Sequence, residues 1–234
     1  MPSVLRNLLL ALVIYSLLLA GFSSIFVPQV MDIAIHEIGA LSIVAIVLLH
    51  VYLMRSFFSY VLKQHAPFFI YRNFTLLGLL LSLIVAVISG MCISYYLFQG
   101  LIPVDRHIAH LWHNAATSYL LLFIGLHLWC YGSKFFSWLD QSIMPHSSYK
   151  IPSTIIKIGL LIVAYHGAIL ICRADYLDKL TLQQSFSIVD YDSPMSHLVI
   201  NNLAILTCYF LISATLSHML LVCSMRKEPK KALA

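Results

Sequence analysis

Two stretches decide how this chain reads: HEIGALSIVAIVLLH, residues 36–50, and HNAATSYLLLFIGLH, residues 113–127. Each begins and ends on a histidine, and almost everything between is apolar. There is no period-two alternation, so the pattern favours a helix over a strand. Fourteen helical steps of about 100° fall about 40° short of four full turns. Both histidines of a stretch therefore lie near one helix face, about 21 Å apart along the axis. The stretches are separated by 77 positions, and each runs into a similar aromatic exit: SFFSY (Ser56–Tyr60) and KFFSW (Lys134–Trp138). This echo suggests a duplicated two-helix unit related by an axis along the membrane normal.

The rest of the chain has the same character. Of 234 residues, 61% are hydrophobic and only 10% charged, against about 25% charged in an ordinary soluble domain. Mean hydropathy is +0.90. This composition excludes a disordered chain, a secreted disulfide scaffold and a typical nucleic-acid-binding domain. Six segments approach the roughly 20 apolar residues of a membrane span: Val4–Val27, Ile33–Met54, Phe74–Phe98, Ile108–Tyr131, Ile155–Ile171 and Leu198–Cys223. The first has one leading Arg, a long apolar run and no small-x-small cleavage site, so it reads as a retained helix rather than a signal peptide. The predicted fold is an all-α membrane protein with six transmembrane helices. Residues 1–138 form a four-helix, cofactor-binding bundle. Residues 139–234 add two C-terminal helices joined by an extracytoplasmic loop, 173–197.

Six spans put both termini on one side. That side collects eleven of the fourteen Lys and Arg residues, and the other holds only Arg106, Arg173 and Lys179. The positive-inside rule places both termini in the cytoplasm, across a cytoplasmic (inner) membrane. The formal charge of +5 is thus first a topology signal. The five cysteines are scattered through apolar segments with no C-x-x-C pair, which is the pattern of small packing residues.

In this topology the two histidine helices are parallel. His36 then lies at the same outer depth as His113, and His50 at the same inner depth as His127. Polar side chains in hydrocarbon are costly and usually functional. Two opposed imidazoles are too few ligands for zinc, which takes four, or three and a water. They suit haem iron, whose four equatorial positions are already filled. The expected cofactors are two haem b groups, the outer on His36 and His113 and the inner on His50 and His127. Arg106 and His110 are candidate propionate holders at the outer level, and Arg55 and Arg72 at the inner. Gly39, Gly90 and Gly125 are small residues that either admit a flat macrocycle or serve helix packing. His166 and His218 fall at different depths and are not expected to share a cofactor; each is expected to be buried and bonded.

Residues 1–138 resemble transmembrane di-haem b-type cytochromes, in which paired helices each carry two histidines about 13–14 residues apart. The cytochrome b of quinol-oxidising complexes and the membrane domains of ferric reductases share this device. Compact bacterial di-haem membrane cytochromes are closer still. They join the histidine helices by a small-residue helix like ISGMCIS (Ile88–Ser94), and their later region resembles the R-x-D-Y-L and F-x-x-x-D-Y-D patterns between Arg173 and Pro194. The resemblance implies transmembrane electron transfer as an oxidoreductase subunit or relay. Its partners would be membrane lipid, quinone, and a flavoprotein or other redox protein. The competing expectation is a polytopic transporter whose intramembrane histidines relay protons or carry metal or haem cargo.

Overall fold

The computed structural model describes residues 33–53, 66–143, 151–184 and 195–226. Among them run α1 (Ile33–Leu53), α2 (Pro67–Ile93), α3 (Arg106–Ile143), α4 (Ile151–Ile171), the short α5 (Ala174–Leu180) and α6 (Met195–Arg226). No strand occurs among the described residues.

Local chemistry sets the ends of these helices. Pro67 occupies the first turn of α2 after an extended Ala66, where the missing N–H costs nothing and the ring presets φ. At the start of α3, Asp105 Oδ1 accepts from the backbone N–H of His107 at 2.8 Å, an N-cap that satisfies an otherwise orphaned donor. α5 ends with Gln183 N–H donating to Asp178 O and Leu182 N–H to Lys179 O. This is the Schellman pattern, but the left-handed position, φ +60°, is held by Leu182 rather than glycine.

The packed faces are polar and small, and the outer faces are oily. Along α2 the buried side chains are Arg72, Thr75, Ser82, Ala86 and Ser89. Phe74, Ile84 and Ile88 on the other face are exposed. The largest fully buried side chains among the described residues are Thr75, Ser213 and Ser217. A water-soluble bundle would reverse this arrangement; helices in lipid associate through small residues and interhelical hydrogen bonds instead. Three buried hydroxyls of α2 are satisfied within their own helix: Thr75 Oγ1 donates to Arg72 O, Ser82 Oγ to Gly78 O and Ser89 Oγ to Val85 O.

α2 and α3 pack as an antiparallel hairpin, with Gly78 against Phe123, Gly90 against His113 and Thr75 near Cys130. α6 packs on both α3 and α4. It approaches α3 where Gly125 meets Tyr209, and α4 where Gly167 meets the Ala204 carbonyl. Tyr71 donates to Ser213 Oγ at 2.8 Å, and Ser213 donates to Leu126 O at 2.7 Å. One chain of hydrogen bonds thus ties α2, α6 and α3. α1 stands apart, with no extended backbone contact to any other described helix.

Among the described residues, three helices are long and apolar enough to cross a membrane: α1, α2 and the Ser196–Val222 part of α6. α4 with α5, bent by 71°, adds a fourth if the pair counts as one span. The sequence reading expects six. Its first segment, Val4–Val27, lies outside the described residues. Its fourth, Ile108–Tyr131, falls within α3, where His113, Asn114 and His127 dilute the apolar run. α3 tolerates them because it sits between α2 and α6 and buries Ala109, Ala115, Ala116 and Ser118. The third expected segment is shifted: α2 starts at Pro67 and stops at Ile93, so Tyr95–Phe98 belong to the turn before α3.

Candidate functional site: histidine pairs between α1 and α3

His36 and His113 meet across the gap between α1 and α3. Their ring centroids are 6.3 Å apart and their planes cross at 80°. His50 and His127 lie about four turns further along the same two helices, within electrostatic reach of each other. The two helices therefore run parallel, with their histidines at matched levels.

α2 forms the seat of His113. The ring's Nδ1 lies 3.0 Å from the Ala86 carbonyl and 3.3 Å from Ser89 Oγ. A carbonyl only accepts, so Nδ1 carries the proton and Nε2 keeps its lone pair, as a metal ligand requires. Gly90 makes the seat possible. A Cβ there would come within 3.3 Å of His113 Cε1, so even alanine would press on the ring and a bulkier residue would displace it. Opposite, His36 Nδ1 is buried with no hydrogen-bond partner. An orphaned buried ring nitrogen is costly, and its cost is explained where the ring has a further partner to bind.

The arrangement fits a metal held by two imidazoles. Nitrogen–metal bonds of about 2.0–2.1 Å place opposed ring centroids about 6 Å apart. A macrocycle also needs room between the helices, and α1 stands off from its neighbours. Among the described residues no three His, Cys, Asp or Glu side chains gather as a metal cage; the histidines come in twos.

The other candidates divide. Arg72 is buried one turn before Thr75, which lies near Cys130 of α3, with its guanidinium over the Phe69 ring at 4.8 Å and its Nη2 donating to Asn73 Oδ1 at 3.4 Å. Arg106 is exposed, stacked over Tyr95 at 4.8 Å, and electrostatically coupled to His110. Arg55 lies outside the described residues. Gly125 faces Tyr209 and Leu206 of α6, which leaves it a packing residue and not a point of cofactor approach. His166 is bonded, its Nε2 3.2 Å from Asn201 Oδ1, but both it and His218 are exposed rather than buried as expected, because each lies on an outward helix face. Within the expected loop, Ser185–Asp192 lie outside the described residues. The part before it forms α5, which docks on α3 through Tyr119 OH to Leu180 O, 3.2 Å, and Asn114 Nδ2 to Gln184 O, 3.3 Å.

Sequence reasoning missed Glu37. Its carboxylate accepts from the Ser94 hydroxyl and from the backbone N–H groups of Tyr95, Tyr96 and Leu97. The available signal was an acid beside a candidate ligand, in a segment otherwise bare of charge. No protein-family model, curated protein or solved structure matches this chain.

Proposed function

We propose that the chain carries electrons across a membrane through two b-type haems, each held by one histidine of α1 and one of α3. The facing of His36 and His113 at 6.3 Å, with Nδ1 of His113 committed to Ala86 O, supports this reading most. Bound haem would supply a reversible one-electron couple at each level. The chain's own residues do the rest. His36 and His113 hold one iron, and His50 and His127 the other. The Ala86 carbonyl and Ser89 hydroxyl orient His113 and raise its basicity. The small-residue face of α2 keeps water from the site. Arg72 at one end and Arg106 with His110 at the other supply cations for propionates. The charge bias of the sequence assigns the Arg72 end to the cytoplasmic face of the inner membrane. Electron partners of this chain are then membrane quinol, a cytoplasmic flavoprotein or another redox protein.

The test is a reduced-minus-oxidised spectrum of the purified protein with haem quantified per chain. About two b-type haems that persist through purification are expected. Full occupancy in a variant lacking His36, His50, His113 and His127 would end the proposal. Haem that washes out on purification would favour a cargo-carrying transporter.

A further inference from the structure

We infer that Glu37 is a positioning residue: a clasp that fixes the rotation and depth of α1 and so presents His36 to His113. The inference rests on the haem reading for its redox consequence, but not for the clasp itself. Three consecutive N–H groups, of Tyr95, Tyr96 and Leu97, point at one carboxylate. Oε1 accepts from Tyr95 at 2.7 Å, and Oε2 from Leu97 at 2.8 Å and from the Ser94 hydroxyl at 2.8 Å. Tyr96 N–H lies 3.3 Å from both oxygens. Successive backbone donors of this kind form an anion-binding nest, and hydrogen bonds to a charged acceptor are about twice as strong as neutral ones.

Location gives the clasp its effect. α1 has no extended backbone contact with another described helix, so a strong side-chain tie is decisive for where it sits. His36 and Glu37 are consecutive, about 100° apart around the helix. Pinning one direction fixes the other. The turn that receives Glu37 also joins α2, which carries the Ala86–Ser89–Gly90 seat, to α3, which carries His113. Ser94 reinforces that turn by accepting from Phe98 N–H at 2.9 Å. A single turn therefore references both histidines of the pair to one another.

The test uses Glu37→Gln in the full chain, reconstituted in lipid. The amide keeps the shape but turns one acceptor oxygen into a donor facing other donors. Two measurements are paired. The first is the distance distribution between spin labels at Ile33→Cys and Ile108→Cys, both exposed positions, in a background without the native cysteines. The second is the redox-resolved electron paramagnetic resonance signature of the haem centre that His36→Ala abolishes, with the other centre as control. The clasp predicts a broadened distance distribution, together with loss of the low-spin signature at that centre or about tenfold weaker ligation. The control centre should be unchanged. Distance and signature both as in the parent would overturn the inference. A broadened distance with an unaltered signature would overturn the positioning role. If the parent binds no haem but the distance still broadens, the electron-transfer reading fails and the clasp stands. Should Glu37→Gln fail to accumulate, Ser94→Ala removes one donor of the clasp and takes its place in both measurements.

Discussion

Glu37 and Asn114 hold equivalent posts. Each directly follows a paired histidine, they are 77 positions apart, and each reaches from its helix to the backbone of a later segment. Glu37 accepts from residues 95–97, whereas Asn114 Nδ2 donates to Gln184 O. The sense of the bond reverses while its place is kept. Position 37 meets backbone N–H donors of a turn and needs an acceptor. Position 114 meets a carbonyl beyond a helix C-terminus and needs a donor. The echo between the two stretches is thus structural as well as compositional.

If each histidine pair holds one haem, removing either member should empty that level alone. His36→Ala and His127→Ala should each lower haem per chain by about half, and the two losses should affect different components of a redox titration. Pyridine haemochrome quantification with potentiometry checks this. Loss of both components from one substitution would mean that the levels are not independent.

The seat of His113 should be graded in its tolerance. Gly90→Ala brings a Cβ to 3.3 Å from the ring, so a shift of a few tenths of an ångström suffices, and the expected result is retained haem with an altered midpoint potential. Gly90→Val places further methyl groups where the ring lies and should remove the His36–His113 centre. Ser89→Ala deletes the longer of the two contacts at Nδ1 and should weaken that centre by about tenfold, the lower end for a supporting hydrogen bond. Midpoint potentials and haem content of the three variants give the comparison.

Much of this site was legible in the sequence because helical geometry is regular. A spacing of fourteen steps between histidines can be converted to a face and a depth without coordinates. The same arithmetic anticipates that His36 faces His113. It does not anticipate the seat, because Ala86, Ser89 and Gly90 look like any small-residue stripe until α3 is laid against them. Helix ends were less legible. Apolar Tyr95–Phe98 extend the hydropathy signal of α2, but the backbone turns at Ser94, where Glu37 supplies the bonds that the helix would otherwise make. α3 shows the converse: its histidines lower its hydropathy, and only its place between α2 and α6 explains why it is tolerated there.

The hydrogen-bond chain from Tyr71 through Ser213 to the Leu126 carbonyl should act as one unit. Tyr71→Phe and Ser213→Ala should each destabilise the protein, and the double variant should cost less than their sum. A coupling of about 0.6 kcal/mol is the norm for such pairs in membranes. A double-mutant cycle of unfolding in mixed micelles measures it. Strict additivity would show that the two bonds are energetically separate.

Leu182 pays for the end of α5. A non-glycine residue in the left-handed region is disfavoured by about 1–2 kcal/mol, and glycine gives back about 0.5–1 kcal/mol through its freer unfolded chain. Leu182→Gly is therefore expected to stabilise the protein by up to about 1 kcal/mol, provided that the leucine side chain contributes little packing. Thermal unfolding of the two proteins side by side decides it; a lower midpoint for the glycine variant would locate a packing role for Leu182.

Thr75, Ser82 and Ser89 donate their hydroxyl protons to carbonyls of their own helix. Each of these dipoles is already committed in direction before any charge arrives. A wall built this way responds to a change of charge beside it with little turning of its own groups, unlike water, which must reorient at every event. The hydroxyl stripe of α2 packs the helices, and its Ser89 end gives the space beside His113 a low cost of reorganisation.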